Sequence, residues 1–158
     1  MTSPYTSATA AKPPRRRRRI WLWVLGVLVL LLLAAQLVRF FVPSLQLTNP
    51  PVTQTVAWDS AETQQLFTAA CADCHSNETV YPWYSYIAPV GWLVASDVHG
   101  GRDEYNISEP GEIDADEMVE ELERGHMPPP IYLPMHPEAN LSEAQVQALS
   151  EGILATFR

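Results

Sequence analysis

The chain has 158 residues, 47% of them hydrophobic, with fourteen prolines, two cysteines and a formal charge of −8. That length suits one domain with appendages. Seven of the ten Lys and Arg lie at or before Arg39 and all eighteen Asp and Glu lie beyond it. The remainder thus carries three cations against eighteen anions, formally −15, which argues against nucleic-acid binding and favours a basic docking partner or none.

Residues 1–19 read as a disordered tail, Ser-, Thr-, Ala- and Pro-rich, closed by five arginines from Arg15 to Arg19. Ile20 to Val38 follows, nineteen residues whose one polar member is Gln36. Such a run is long enough to cross a hydrocarbon core as a helix. Residues 20–42 are therefore expected to be a transmembrane anchor, with a cleaved signal peptide as the alternative. Arginines cluster before the run, so the tail is expected on the cytoplasmic side and the rest outside. Trp21 and Trp23 would sit near the inner interface.

Residues 43–57 read as an extended linker, rich in proline and free of charge, which leaves the outer domain tethered but able to swing. Asp59 with Glu62 suggests a capping box opening a helix from residue 60 to about 72. Pro89 would start a second helix, closed by Gly100 and Gly101. Asp114 with Glu117 would open a third, ending at Gly125, and Ser142 with Gln145 a fourth, with its apolar face on Val146, Leu149, Ile153, Leu154 and Phe157. No segment alternates as a strand. Residues 58–158 are expected to be a small all-α domain whose core is marginal by itself.

The first helix delivers Cys71, Cys74 and His75 in the sequence "CADCH". A thioredoxin-type dithiol needs C-x-x-C at the start of a helix in a βαβ unit. A zinc site needs four ligands, and the remaining histidines are scattered. C-x-x-C-H is the attachment signature of c-type haem. Two thiols add across the two vinyl groups, and the histidine lies under the iron as proximal ligand. The expected fold is then a cytochrome c-like helical domain around one covalent haem, preceded by a transmembrane helix.

The distal ligand decides what such a haem does. Met127 opens the rigid run "MPPP" and is the first candidate; Met135, His126 and His99 are alternatives, with His136 behind them. Met118 falls on an apolar helix face, where core packing is the simpler reading. Tyr81, Trp83, Tyr84 and Trp92 read either as pocket wall or as ordinary core aromatics, and Arg102 as a propionate partner or a surface cation.

"CADCHSNETVYPWYSYIAPVGWLVASDVHGGR" and "GHMPPPIYLPMHPEANLS" resemble the small haem-binding domain family of exported or membrane-anchored bacterial c-type haem proteins. The matching features are C-x-x-C-H-S, Y-P-W-Y, P-V-x-W, G-R, M-P and H-P-E-A-x-L-S, over roughly residues 58 to 154. The resemblance implies haem c on Cys71, Cys74 and His75, and maps the family's M-P element onto Met127-Pro128. The expected role is an electron carrier and not an enzyme. It would work at the outer face of the cytoplasmic membrane with redox partner proteins or respiratory complexes. The alternatives are a haem-based sensor, a peroxidase-like protein with a displaceable sixth ligand, or a structural haem subunit of a respiratory complex.

Overall fold

Six helices and several short 3-10 turns, with no strand, form residues 15–158, the part that this computed structural model describes. The all-helical expectation therefore holds for these residues. Residues 1–14 of the expected tail lie outside them. Arg15–Arg19 are not part of a tail: they form the first turns of α1, Arg15–Val38, consistent with arginine's good helix propensity. Among the described residues α1 alone is long and apolar enough to cross a membrane, with mean hydropathy 2.5 and none of its apolar window buried.

Within residues 43–57, Pro43–Leu45 forms a 3-10 turn and the rest has no helix, but the segment is not loose. Thr53 and Gln54 donate their amides to the Ser108 carbonyl at 2.9 and 3.0 Å. Asn77 Nδ2 donates to Pro51 O, and Asn49 Nδ2 to Thr79 O. Arg102 reaches Thr48 O at 2.7 Å and Asn49 Oδ1 at 2.8 Å. The expectation of a swinging linker is thus corrected, because the Asn77 and Arg102 side chains and the Thr79 and Ser108 carbonyls bind it between Thr48 and Gln54.

The helices that follow are α2 (Ala61–Ala70), α3 (Ala72–His75), α4 (Val90–Glu104), α5 (Ala115–Glu123) and α6 (Glu143–Phe157). Ser60, not Asp59, caps α2, accepting the Thr63 amide at 3.1 Å. Asp114 caps α5 by accepting from both Asp116 and Glu117. Ser142 and Gln145 make the full reciprocal box at α6, as their spacing predicts. The core lies where α2, α5 and α6 meet. Leu66, Phe67, Met118, Leu122, Leu149 and Ile153 are buried there, and Phe67 is 0% exposed. Trp58 covers Phe67 and Phe157 with centroid separations of 5.0 and 5.7 Å.

One helix runs past its expected end. α4 continues through Gly100 and Gly101 to Glu104. A Cβ on Gly101 would stand 2.7 Å from Cys74 O and 2.9 Å from Cys74 Cβ. The missing side chain is what lets α4 lie directly on the cysteine turn, a close approach that outweighs glycine's poor helix propensity.

Candidate functional site

The core helix α2 ends where Cys71 donates its amide to Phe67 O at 2.8 Å. α3 is a single turn. Cys74 and His75 both donate backbone amides to Cys71 O, at 3.1 and 3.0 Å. This turn gathers both thiols and the imidazole on one side, where they line a cavity of about 640 Å³. That size falls in the usual range of ligand and cofactor pockets. Ala70, Met118, Leu122 and Ile153 supply apolar wall, and Met127 and Tyr132 lie on the same cavity.

The thiols form no disulfide. Burial pushes Cys71 up to about 12, helped by Cys74. Burial likewise pushes Cys74 up to about 11, with Asp73 and Asp97 adding to it and Arg102 opposing. Both therefore stay protonated near neutrality, which disfavours dithiol exchange because the thiolate is the nucleophile. Among the described residues no group of three or more His, Cys, Asp or Glu is arranged to hold a metal ion, so the zinc reading lacks the further ligands it needs.

His75 is 5% exposed. Its Nδ1 faces the Tyr105 carbonyl at 3.2 Å, an oxygen that can only accept, so Nδ1 carries the proton. The Tyr105 ring stacks on the imidazole at 3.9 Å and 11°. Burial lowers the His75 pKa, partly offset by the carbonyls of Tyr105 and Gly101. The ring is thus held neutral, in one tautomer and orientation, with Nε2 as the nitrogen suited to a metal.

Met127 follows α5 through Gly125, whose φ of +70° suits glycine. The amides of His126 and Met127 both donate to Glu121 O, at 3.0 and 3.2 Å. This turn carries Met127 to the cavity, where it is 39% exposed. The other candidate ligands lie elsewhere. Met135 is exposed and outside the cavity lining. His126 is exposed and pairs with Glu121 at 3.0 Å. His99 Nε2 donates to Gln46 O at 3.1 Å. His136 Nδ1 donates to Glu138 Oε1, which leaves Nε2 to accept the Tyr84 hydroxyl at 2.7 Å.

Tyr81, Trp83, Tyr84, Trp92 and Arg102 do not line this cavity. Tyr81 donates to Thr48 O, and Trp83 is 71% exposed. Tyr84 is occupied by His136. Trp92 has its indole nitrogen buried with no partner among the described residues. Arg102 gives its donors to Ser76 O, Thr48 O, Asn49 Oδ1 and Thr79 Oγ1 at 2.7–2.8 Å, so it clamps the turn after His75 to the linker. The expected pocket wall is corrected on this point: the chain turns away from the cavity immediately after the motif.

The residues that do frame the motif were not singled out in the sequence. Besides Gly101 and Tyr105, Tyr132 donates its hydroxyl to Asp73 Oδ2 at 2.8 Å and stacks on His136 at 3.8 Å. Asp73 is one of the two middle residues of C-x-x-C, so the H-P element and Y-P-W-Y are joined to the motif through Tyr132, His136 and Tyr84. Only the "GGR" run gave a signal for any of this, and it suggested a helix end.

The residues present fit a haem: two unpaired thiols, one oriented imidazole nitrogen and a thioether on one partly apolar cavity. A family model described as a haem-binding domain matches residues 30–155. No curated protein and no solved structure matches the chain.

Proposed function

Because this chain belongs to the haem-binding domain family, we propose that it is a membrane-anchored mono-haem c-type protein that transfers single electrons. It is a haem protein; covalent attachment, the ligand pair, the anchor and the redox role are the parts proposed. The observation that carries the reading is the gathering of Cys71, Cys74, His75 and Met127 on one cavity. Cys71 and Cys74 would hold the group by thioethers. His75 Nε2 would be the proximal ligand, with Tyr105 fixing its ring, and Met127 sulfur the distal ligand. Bound there, haem iron supplies one-electron cycling, and a His/Met pair raises its potential. The apolar wall of Ala70, Met118, Leu122 and Ile153 would pack against the group, and α1 would hold the domain beside membrane-bound partners, N-terminus inside and haem domain outside.

The exposure of Met127 favours one second reading, a displaceable sixth ligand serving a sensor or a peroxidase-like protein. Spectra of the purified full chain, reduced and oxidised, with and without carbon monoxide, separate the two. The carrier reading expects haem that resists acid–organic extraction and a ferrous form that binds carbon monoxide slowly. It also expects a methionine–iron band in the oxidised spectrum, lost in Met127→Ala and kept in Met135→Ala. Rapid carbon monoxide binding would sink the carrier reading, and a band that survives Met127→Ala would remove Met127 as ligand.

A further inference from the structure

Residues 80–96 contain no charged side chain, and neither do residues 40–58, although eighteen Asp and Glu lie beyond Arg39. The fold brings these two stretches to the end of α1. The Ala88 amide donates to Gln36 Oε1 at 3.2 Å. The Arg39 guanidinium sits 5.1 Å from the Phe40 ring and 5.9 Å from the Tyr86 ring. The turn Pro43–Leu45 packs on α4, and Ala35, Gln36, Val38 and Arg39 are half-buried. Gln36 lies two residues before the end of α1, about 3 Å of helical rise. The junction between Tyr86 and α4 therefore reaches down to the level of the apolar helix. The family match begins at residue 30, so this contact lies within the matched unit.

Around that junction Trp83, Tyr86, Ile87, Val90 and Leu93 are all exposed. Single exposed apolar residues are ordinary, but a clustered set beside a bare apolar helix calls for a partner. We propose that this face rests on the lipid surface where α1 emerges, an inference that rests on α1 being a membrane anchor. Trp and Tyr favour the headgroup level of a bilayer. A domain with three cations against eighteen anions is repelled by anionic headgroups, so a charge-free face is the one that can approach them. The strapped linker gives the domain little slack to leave. Gly101, at the haem cavity, lies eight residues along α4 from Leu93, about 12 Å of rise. The face would thus set the height of the haem above the bilayer.

The test uses the full-length haem protein in vesicles of phosphatidylcholine that carries a diazirine near the glycerol backbone. After photolysis, lipid adducts are mapped by peptide mass spectrometry. Adducts in both 20–38 and 83–93 are expected. The double variant Val90→Glu/Leu93→Glu should lose those in 83–93 and keep those in 20–38, with haem content unchanged. Adducts confined to 20–38 overturn the docking face while the anchor stands, and adducts in neither overturn both. Cross-links from 83–93 to protein in place of lipid overturn it in favour of a second copy or a protein partner. Unaltered 83–93 adducts in the double variant also overturn it.

Discussion

Replacing Gly101 by alanine puts a methyl where Cys74 already lies. The added Cβ would meet Cys74 O at 2.7 Å, Cys74 Cβ at 2.9 Å and Cys74 C at 3.1 Å. The nearest atom is backbone, so no flexible side chain can swing aside, and α4 and the cysteine turn must separate by several tenths of an ångström. Overpacking of this kind costs roughly 1–3 kcal/mol, while Gly→Ala in a helix returns roughly 0.5–1 kcal/mol. The net is a loss of about 1 kcal/mol, equivalent to roughly 4–8 °C in Tm for a domain of this size. Gly101→Val adds two more methyls and should lose more. Gly100→Ala is the neighbouring control, because nothing lies within 4 Å of its Cβ. Gly100 opens on the cavity, so its value is as a control for unfolding and not for haem attachment. The assay is thermal unfolding of the purified full chain together with covalent haem per chain. Gly101→Ala should be less stable than Gly100→Ala and should carry less covalent haem than the parent chain. Equal stability with full haem in Gly101→Ala and Gly101→Val would refute the claim that α4 positions the cysteine turn through this contact.

Ser142→Ala removes the side-chain half of the capping box at α6 and should cost about 1 kcal/mol in denaturant unfolding, with the haem spectrum unchanged. Arg102→Lys exchanges a four-bonded fork for a point charge that cannot span the same acceptors. Amide exchange at Thr53 and Gln54 should quicken while covalent haem content stays constant; unchanged exchange would mean that Arg102 is not what ties the linker down. Glu117 and Glu121 are among the residues that line the cavity, and negative charge there favours the more positive oxidised iron. Glu117→Gln/Glu121→Gln should therefore raise the midpoint potential and flatten the salt dependence of electron transfer with a cationic partner. A potential and salt slope equal to the parent's would show the rim to be electrostatically uncoupled from the iron.

Local chemistry was legible in the sequence where a backbone group and its partner lie within a few residues. Ser142 and Gln145 are such a pair, and so is the turn Cys71–His75, whose bonds all close on Cys71 O. What stayed hidden depends on distant partners. Nothing adjacent to Tyr105 says that its carbonyl holds His75, thirty residues earlier. Nothing near Tyr132 points to Asp73, fifty-nine residues away. Arg102 was legible as a cation but not as a clamp, because two of its four acceptors are backbone carbonyls, which carry no sequence signature, and all four lie far from it along the chain. The double glycine suggested a helix end on local propensity, and packing against Cys74 overrode it.

The aromatic run after "CADCH" shows why closeness in sequence misleads here. Ser76 bonds back to Ala72 O at 2.7 Å, and Thr79 to Asp73 O at 2.6 Å, so the chain reverses within one turn of His75. It then travels away before α4 brings it back. The return helix therefore has two ends with different tasks. Its start, next to Gln36 and free of charge, faces the end of the apolar helix. Its last turns carry Asp97, Gly101 and Glu104 to the cavity. An aromatic cluster packed on the haem would have left that starting end without its amphipathic rings. An acidic residue among 80–96 would have set a like charge against anionic headgroups. Under the proposed docking, this separation of apolar and acidic residues along one helix would let a domain of formal charge −15 stand beside a membrane and still turn an acid-lined cavity towards a cationic partner.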